Sequence, residues 1–190
     1  MTEIALMTEQ LEYLLQHLAN VPGRVRALGV FPADLVPFRE LCNEDGKEDR
    51  CLIANTDPRT KPGQHWLAFY YDYKRRTLYY FDSFGMPLQY YADVYRRLVS
   101  SFLRASCVDV VSNALQSIDT RVCGFYCVVY LHFRTKSAKA LNCLAPRMMA
   151  ELRDMNIITM LHKLMHKYKC DACPTVTTRQ SQGCLCKNAR

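Results

Sequence analysis

The sequence predicts an α+β fold, a small mixed sheet with helices packed against it. Three observations carry this. Two runs rich in aromatic and β-branched residues, "HWLAFYY" and "TLYYFDSFG", are joined by the charged stretch "DYKRR" and read as a hairpin. Segments with apolar residues three and four apart lie on both sides of it. The chain of 190 residues, 49% hydrophobic and 23% charged, has the length and composition of one soluble domain with a real core.

The elements follow in order. Residues 8–20 place Leu11, Leu14, Leu15 and Leu18 on one face, an amphipathic helix that Pro22 and Gly23 end. "GVFPADLVP", with two prolines, reads as an extended or turning segment, and "NEDGKEDR" as a charged loop. "CLIANT" is a short buried strand, and "DPRTKPGQ" a loop of turn formers. After the hairpin, "QYYADVYRRLVSSFLRAS" puts Tyr91, Val94, Tyr95, Leu98 and Phe102 on one helical face. "CVDVV" is a further strand. From Cys123 to about Arg134 the chain is apolar on nearly every side, a helix placed in the core. "APRMMAELRDMNIITMLHKLMHKYK" reads as one or two closing helices, and the polar stretch from Cys170 as a tail.

The N-terminal residues carry acid and no sustained apolar region, so no signal peptide is expected. The longest apolar run, about residues 122–133, is too short to span a bilayer. An intracellular, monomeric protein with no membrane partner is expected. Ten cysteines without an export signal point to free thiols, metal ligands or catalysis rather than a disulfide framework. Cys42, Cys51 and Cys127 sit among apolar residues as small core hydrophobes. Residues 161–190 hold six Lys/Arg and one acidic residue, while the other 160 hold nineteen and seventeen. The basic end fits either contact with a polyanion such as DNA or a solvated face.

Cys123 stands where a polar loop meets the apolar helix. A thiol at a helix start lies at the positive end of the dipole, which lowers its pKa and makes it a candidate nucleophile. Gly124 allows close backbone approach, as a substrate site requires. A buried cysteine that merely begins a core helix gives the same pattern.

A nucleophile needs a base, and five histidines are available. His162 and His166 are spaced i,i+4 on a basic helix and face solvent. His17 is on the polar side of the first helix, and His132 lies in the apolar helix as a satisfied core histidine. His65 differs, because it opens a strand after a loop rich in Pro and Gly and is followed by Trp66. Asp82 is the candidate orienter. A hairpin turn centred on Lys74 sets position 65 opposite 83. Strict alternation would then put His65 and Asp82 on opposite faces unless the strand ends bend. Gln116, seven residues before Cys123, is a neutral donor suited to an oxyanion hole with the Cys123 N–H. Singly, Asp82 also reads as a turn cap and Gln116 as a surface residue. Trp66 reads as a shield beside His65 or as a core aromatic.

The order His-Trp, Asp, Gln, Cys-Gly resembles the adenovirus-type maturation proteases, the adenain family. Relatives in adenovirus-like mobile elements and in ubiquitin-like deconjugases share that order. "IANTDPRTKPGQHWLAFYYD", "LYYFDSFG" and "ALQSIDTRVCGFYCVVYLHF" carry the resemblance, with "GVFPADLVP". It covers roughly residues 8–168 and implies a papain-like cysteine protease variant. Residues 1–169 would be the protease domain and 170–190 a basic, cysteine-rich tail. It implies His65 as base, Asp82 as orienter, Gln116 as oxyanion donor and Cys123 as nucleophile, with Trp66 and Gly124 at the substrate. The acid in the adenovirus enzymes is usually Glu, so Asp82 stands closer to the element-encoded and deconjugase versions.

The resemblance implies precursor proteins as substrates and capsid maturation as the process, in a virion or host nucleus. No cofactor is needed for the chemistry. Activation by DNA and by a basic cysteine-containing peptide is implied, with Cys107 as the candidate acceptor for the activating cysteine. Cys170, Cys173, Cys184 and Cys186 form C-x2-C-x10-C-x-C. The first pair has half-zinc-site spacing, but the second is too tight for the usual knuckle, so they are weak metal candidates. Two alternatives stay open: a deconjugase of ubiquitin or a ubiquitin-like modifier, and a non-enzymatic nucleic-acid-binding protein.

Overall fold

A strand buried at every position has two faces to cover, and residues 66–72 are buried without exception, apolar or aromatic through Tyr71 and ending in the charged Asp72. The computed structural model describes residues 5–42, 47–91, 93–102, 108–111, 114–136 and 154–170. Its strands are β1 (Val25–Phe31), β2 (Asp49–Asn55), β3 (Trp66–Asp72), β4 (Thr77–Phe81) and β5 (Val108–Val111), in the order β1-β2-β3-β4-β5. The outer pairs are parallel and the inner pairs antiparallel. This is the mixed sheet of an α+β fold, as the sequence predicts.

Alternation along β3 sends Trp66, Ala68 and Tyr70 to one core and Leu67, Phe69 and Tyr71 to the other. The first core is closed by α1 (Thr8–Leu18), α4 (Cys123–Lys136) and α5 (Asp154–Lys167). The second is closed by α2 (Phe38–Leu41) and α3 (Asp93–Phe102), through Leu41 and Tyr95. Helix α4 runs between β3, α1 and α5. That setting explains why it is apolar all round: of its residues, Phe133 and Lys136 alone are not buried.

Three local readings gain detail. Residues 29–37 are extended and then turning, as read, through the end of β1 and a 3-10 turn at Ala33–Leu35; β1 itself starts earlier, at Val25, and its alternation is broken by a bulge between Ala27 and Gly29. Gly29 has φ +133°, and Glu12 accepts the Val30 N–H at 2.8 Å beside it. The hairpin register runs from Asp72–Thr77 to Ala68–Phe81, so position 65 faces 84 and not 83. The turn holds four residues, Tyr73–Arg76, and Arg76 takes φ 51°, which shifts the centre past Lys74. Of the closing helices, residues 154–167 are helical, and 137–153 lie outside the described residues.

Gly124 serves packing. A Cβ there would lie 3.0 Å from Leu11 Cδ2 and 3.3 Å from Leu6 Cβ, so the helix start sits against the N-terminal segment. Leu11 is fully buried and has little room to move. Gly124→Ala should therefore lose about 1–3 kcal/mol by overpacking, despite alanine's better helix propensity. Denaturant midpoints measure this. A variant as stable as the parent would mean that Leu11 swings aside.

Candidate active site

Both His65 and Asp82 sit one residue outside their strands, before β3 and after β4. Position 65 faces 84, so Asp82 lies two residues away on the same face, and the side chains meet. His65 Nε2–H donates to Asp82 Oδ1 at 2.5 Å, with His65 5% exposed and Asp82 fully buried. The Cys123 thiol interacts with the same imidazole and helps to raise its pKa. Cys123 is the first residue of α4, and the Val122 carbonyl accepts the Tyr126 N–H at 3.2 Å to close the turn behind it.

Burial pushes the His65 pKa down, but the Asp82 and Cys123 hydrogen bonds, together with the charge of both partners, outweigh it. The net result is a rise to about 9. Burial pushes Asp82 up, and its hydrogen bonds more than compensate, holding it below the usual carboxylate value. Its carboxylate accepts four donors. Oδ1 takes the His65 Nε2–H and the Phe84 N–H (2.9 Å), and Oδ2 takes the Met86 N–H (2.9 Å) and the Tyr91 hydroxyl (2.6 Å). The turn after β4 thus holds the acid ionised and aimed at the imidazole.

The ring stacked on His65 is Phe84, its register partner, at 4.5 Å between centroids, with Tyr91 on the same ring at 6.1 Å. Trp66 belongs to the core, 3% exposed, and its carbonyl accepts the Cys127 thiol at 3.3 Å. Gly124 directs its Cα–H toward Leu11 and Leu6, so its demonstrated service is to helix packing.

Gln116 is 7% exposed. Its N–H donates to the Ser83 carbonyl (3.0 Å), its Oε1 accepts from Ser83 Oγ (2.7 Å), and its Nε2 donates to the Thr120 carbonyl (2.7 Å). The loop carrying it is clamped from α5. Asp154 accepts from Thr120 Oγ1 (2.6 Å), the Ser117 N–H (3.3 Å) and the Tyr126 hydroxyl (2.9 Å). Sequence reasoning assigned no site role to Ser83, Phe84, Tyr91 or Asp154. The first two lie inside "YYFDSFG" and gave a local signal. Tyr91 reads as part of a helical face, but α3 begins at Asp93, and Tyr91 reaches Asp82 instead.

The remaining candidates separate. His132 is a core histidine that meets the Leu18 carbonyl through Nδ1 at 2.8 Å, and burial lowers its pKa. His17, His162 and His166 are exposed. Burial raises the thiols of Cys42, Cys51 and Cys127 well above the ordinary range, so they stay protonated. Cys170 packs into the core at 4% exposure, whereas Cys107, Cys173, Cys184 and Cys186 lie outside the described residues. Among the described residues, no three His, Cys, Asp or Glu side chains are grouped to hold a metal ion. No described helix is long and apolar enough to cross a membrane.

The family model described as adenovirus endoprotease matches residues 28–169. The protease of human adenovirus A serotype 12 is 32% identical over 120 residues, 57% of this chain and 58% of that protein. The protease of bovine adenovirus 7 is 33% identical over 103 residues, 48% and 51% of the two chains. The chain thus spans little more than half the length of these curated relatives. Among solved structures, the ASFV pS273R protease has TM-score 0.55 at 17% identity, over 85% of this chain and 67% of that one. The central domain of the uncharacterized Lpg1148 protein from Legionella pneumophila has TM-score 0.54 at 14% identity, over 88% and 99%. At such identities these two share the fold.

Proposed function

The chain belongs to the adenovirus endoprotease family, and from that premise we propose that it is a cysteine endopeptidase with Cys123 as nucleophile, His65 as base, Asp82 as orienter and Gln116 as oxyanion donor. One observation carries the reading: a single buried imidazole donates to a carboxylate at 2.5 Å and interacts with a helix-start thiol. A core histidine needs one satisfied partner, as His132 shows, whereas relaying a proton requires a partner on each nitrogen.

The reaction is acyl transfer. His65 Nδ1 takes the thiol proton, and the resulting imidazolium is stabilised by Asp82. The Cys123 sulfur attacks the peptide carbonyl, and the oxyanion rests on the Cys123 N–H and a Gln116 Nε2–H. The imidazolium then protonates the leaving amine. Water, deprotonated by His65, releases the acyl group and restores the thiol. A His65 pKa near 9 keeps the imidazolium available through neutral pH.

Precursor proteins of a virus or mobile element are the proposed substrates, cut during capsid maturation within the virion or host cell. Activation by DNA and by a basic cysteine-containing peptide, with Cys107 as attachment point, belongs to the same proposal. The test pairs two electrophilic probes, a short glycine-containing peptide and a ubiquitin-like modifier. They are applied to the purified protein and to Cys123→Ala, with and without DNA. Labelling of Cys123 by the peptide alone is the expected result. Labelling by the modifier would make the protein a deconjugase. Absence of labelling under every condition would remove the enzymatic reading.

A further inference from the structure

An oxyanion donor works only if its amide presents nitrogen to the developing charge, and a glutamine amide can flip. The Gln116 amide is held against flipping at both ends. The Thr120 carbonyl can only accept, so the atom 2.7 Å from it is Nε2. The other end is then Oε1, which accepts from the Ser83 hydroxyl at 2.7 Å. Ser83 is fully buried, and its carbonyl also accepts the N–H groups of Leu115 and Gln116 at 2.8 and 3.0 Å. The far side of the clamp is firm as well, because Thr120 is tied to Asp154. Of the two Nε2 hydrogens, one goes to Thr120 and one remains for another acceptor.

We propose that Ser83 is a positioning residue of the reaction: its hydroxyl locks the Gln116 amide so that the uncommitted Nε2–H faces the oxyanion. The assignment rests on the reading of Cys123 and Gln116 given above. Ser83 follows Asp82 directly. The turn after β4 therefore sets two parts of the site at once, the acid that orients His65 and the serine that orients Gln116. Without the Ser83 hydroxyl, Oε1 loses its donor, and the amide can rotate away from the geometry in which the transition state uses it.

The test uses the full chain and a Gly-Gly peptide amide with a fluorogenic leaving group. Alkylation of Cys123 by iodoacetamide runs in parallel. Alkylation displaces iodide and forms no oxyanion, so it reads the Cys123–His65 pair without Gln116. Ser83→Ala should lower kcat about tenfold with KM nearly unchanged, since the lost hydrogen bond acts through transition-state geometry. Its alkylation rate and alkylation pH profile should match the parent's. In a Gln116→Ala background, itself slower by about 10²–10³, the serine change should cost nothing further. Ser83→Cys, close in size and a weaker donor, should give an intermediate kcat, and it carries the test should the alanine variant not fold. Unchanged kcat in Ser83→Ala, full additivity with Gln116→Ala, or a parallel fall in alkylation would each overturn the proposal while leaving the protease reading intact. A parent protein that hydrolyses no peptide amide would overturn both.

Discussion

Cys123→Ala should abolish peptide hydrolysis, with a fall in kcat of about 10⁶-fold, the scale on which removing a nucleophile from a coupled triad acts. The loss should be chemical and not structural. Cys123 is 6% exposed at the first position of α4, and alanine is well tolerated in helices. The small cavity left by the sulfur should cost about 1 kcal/mol. Cys42, Cys51 and Cys127 cannot substitute, because burial keeps them protonated. A second signature should accompany the loss. The Cys123 hydrogen bond and charge both help to raise the His65 pKa toward 9, so the alanine variant should titrate at lower pH. NMR of the His65 ring protons reads that shift independently of any substrate. Turnover in the alanine variant, with an unmoved His65 titration, would take Cys123 out of the site.

Much of the architecture was legible because local chemistry and long-range packing agree. The two aromatic runs become β3 and β4, and the all-apolar stretch after Cys123 becomes the helix between sheet and α1. Strand β1 was harder to see, since the bulge between Ala27 and Gly29 interrupts its alternation. The meeting of His65 and Asp82 was obscured by a small error with a large consequence. A turn taken as centred on Lys74 moves the register by one, and strict pleating then separates the two side chains. In the observed register Asp82 is two residues from the position facing His65 and shares its face. What could not be read were pairings fixed only by tertiary structure. Asp154 lies 34 residues from Thr120, and Ser83 lies 33 from Gln116. No periodicity links positions so far apart, and each reads singly as an ordinary polar residue.

Asp82→Asn should cost less than loss of the nucleophile but should affect both catalysis and stability. The carboxylate offers an acceptor on each oxygen, and each oxygen faces a fixed backbone donor, the Phe84 N–H on one side and the Met86 N–H on the other. An asparagine has one oxygen, so its NH2 group must confront one of those donors. If the oxygen stays with Met86 and Tyr91, the NH2 faces His65 Nε2. The imidazole is then driven to the tautomer protonated on Nδ1, which cannot take the Cys123 proton. If the oxygen stays with His65, the NH2 meets the Met86 N–H and the turn is strained. Either way kcat should fall by about 10³–10⁴, the scale seen when a triad acid is neutralised. The pH dependence gives a separate reading. His65 is raised in the folded state from 6.5 to about 9, so its contribution to stability is full below 6.5 and lost as pH rises through about 9. The lowered Asp82 contributes above the ordinary carboxylate pKa and loses that contribution as pH falls through its own. The stability gap between parent and Asp82→Asn should therefore be widest between about pH 4 and 6.5, of order 2–3 kcal/mol, and should narrow toward pH 9. The basic limb of kcat/KM should move to lower pH in the variant. A gap that is flat across this range, with an unmoved basic limb, would show that Asp82 braces the turn without governing the protonation of His65.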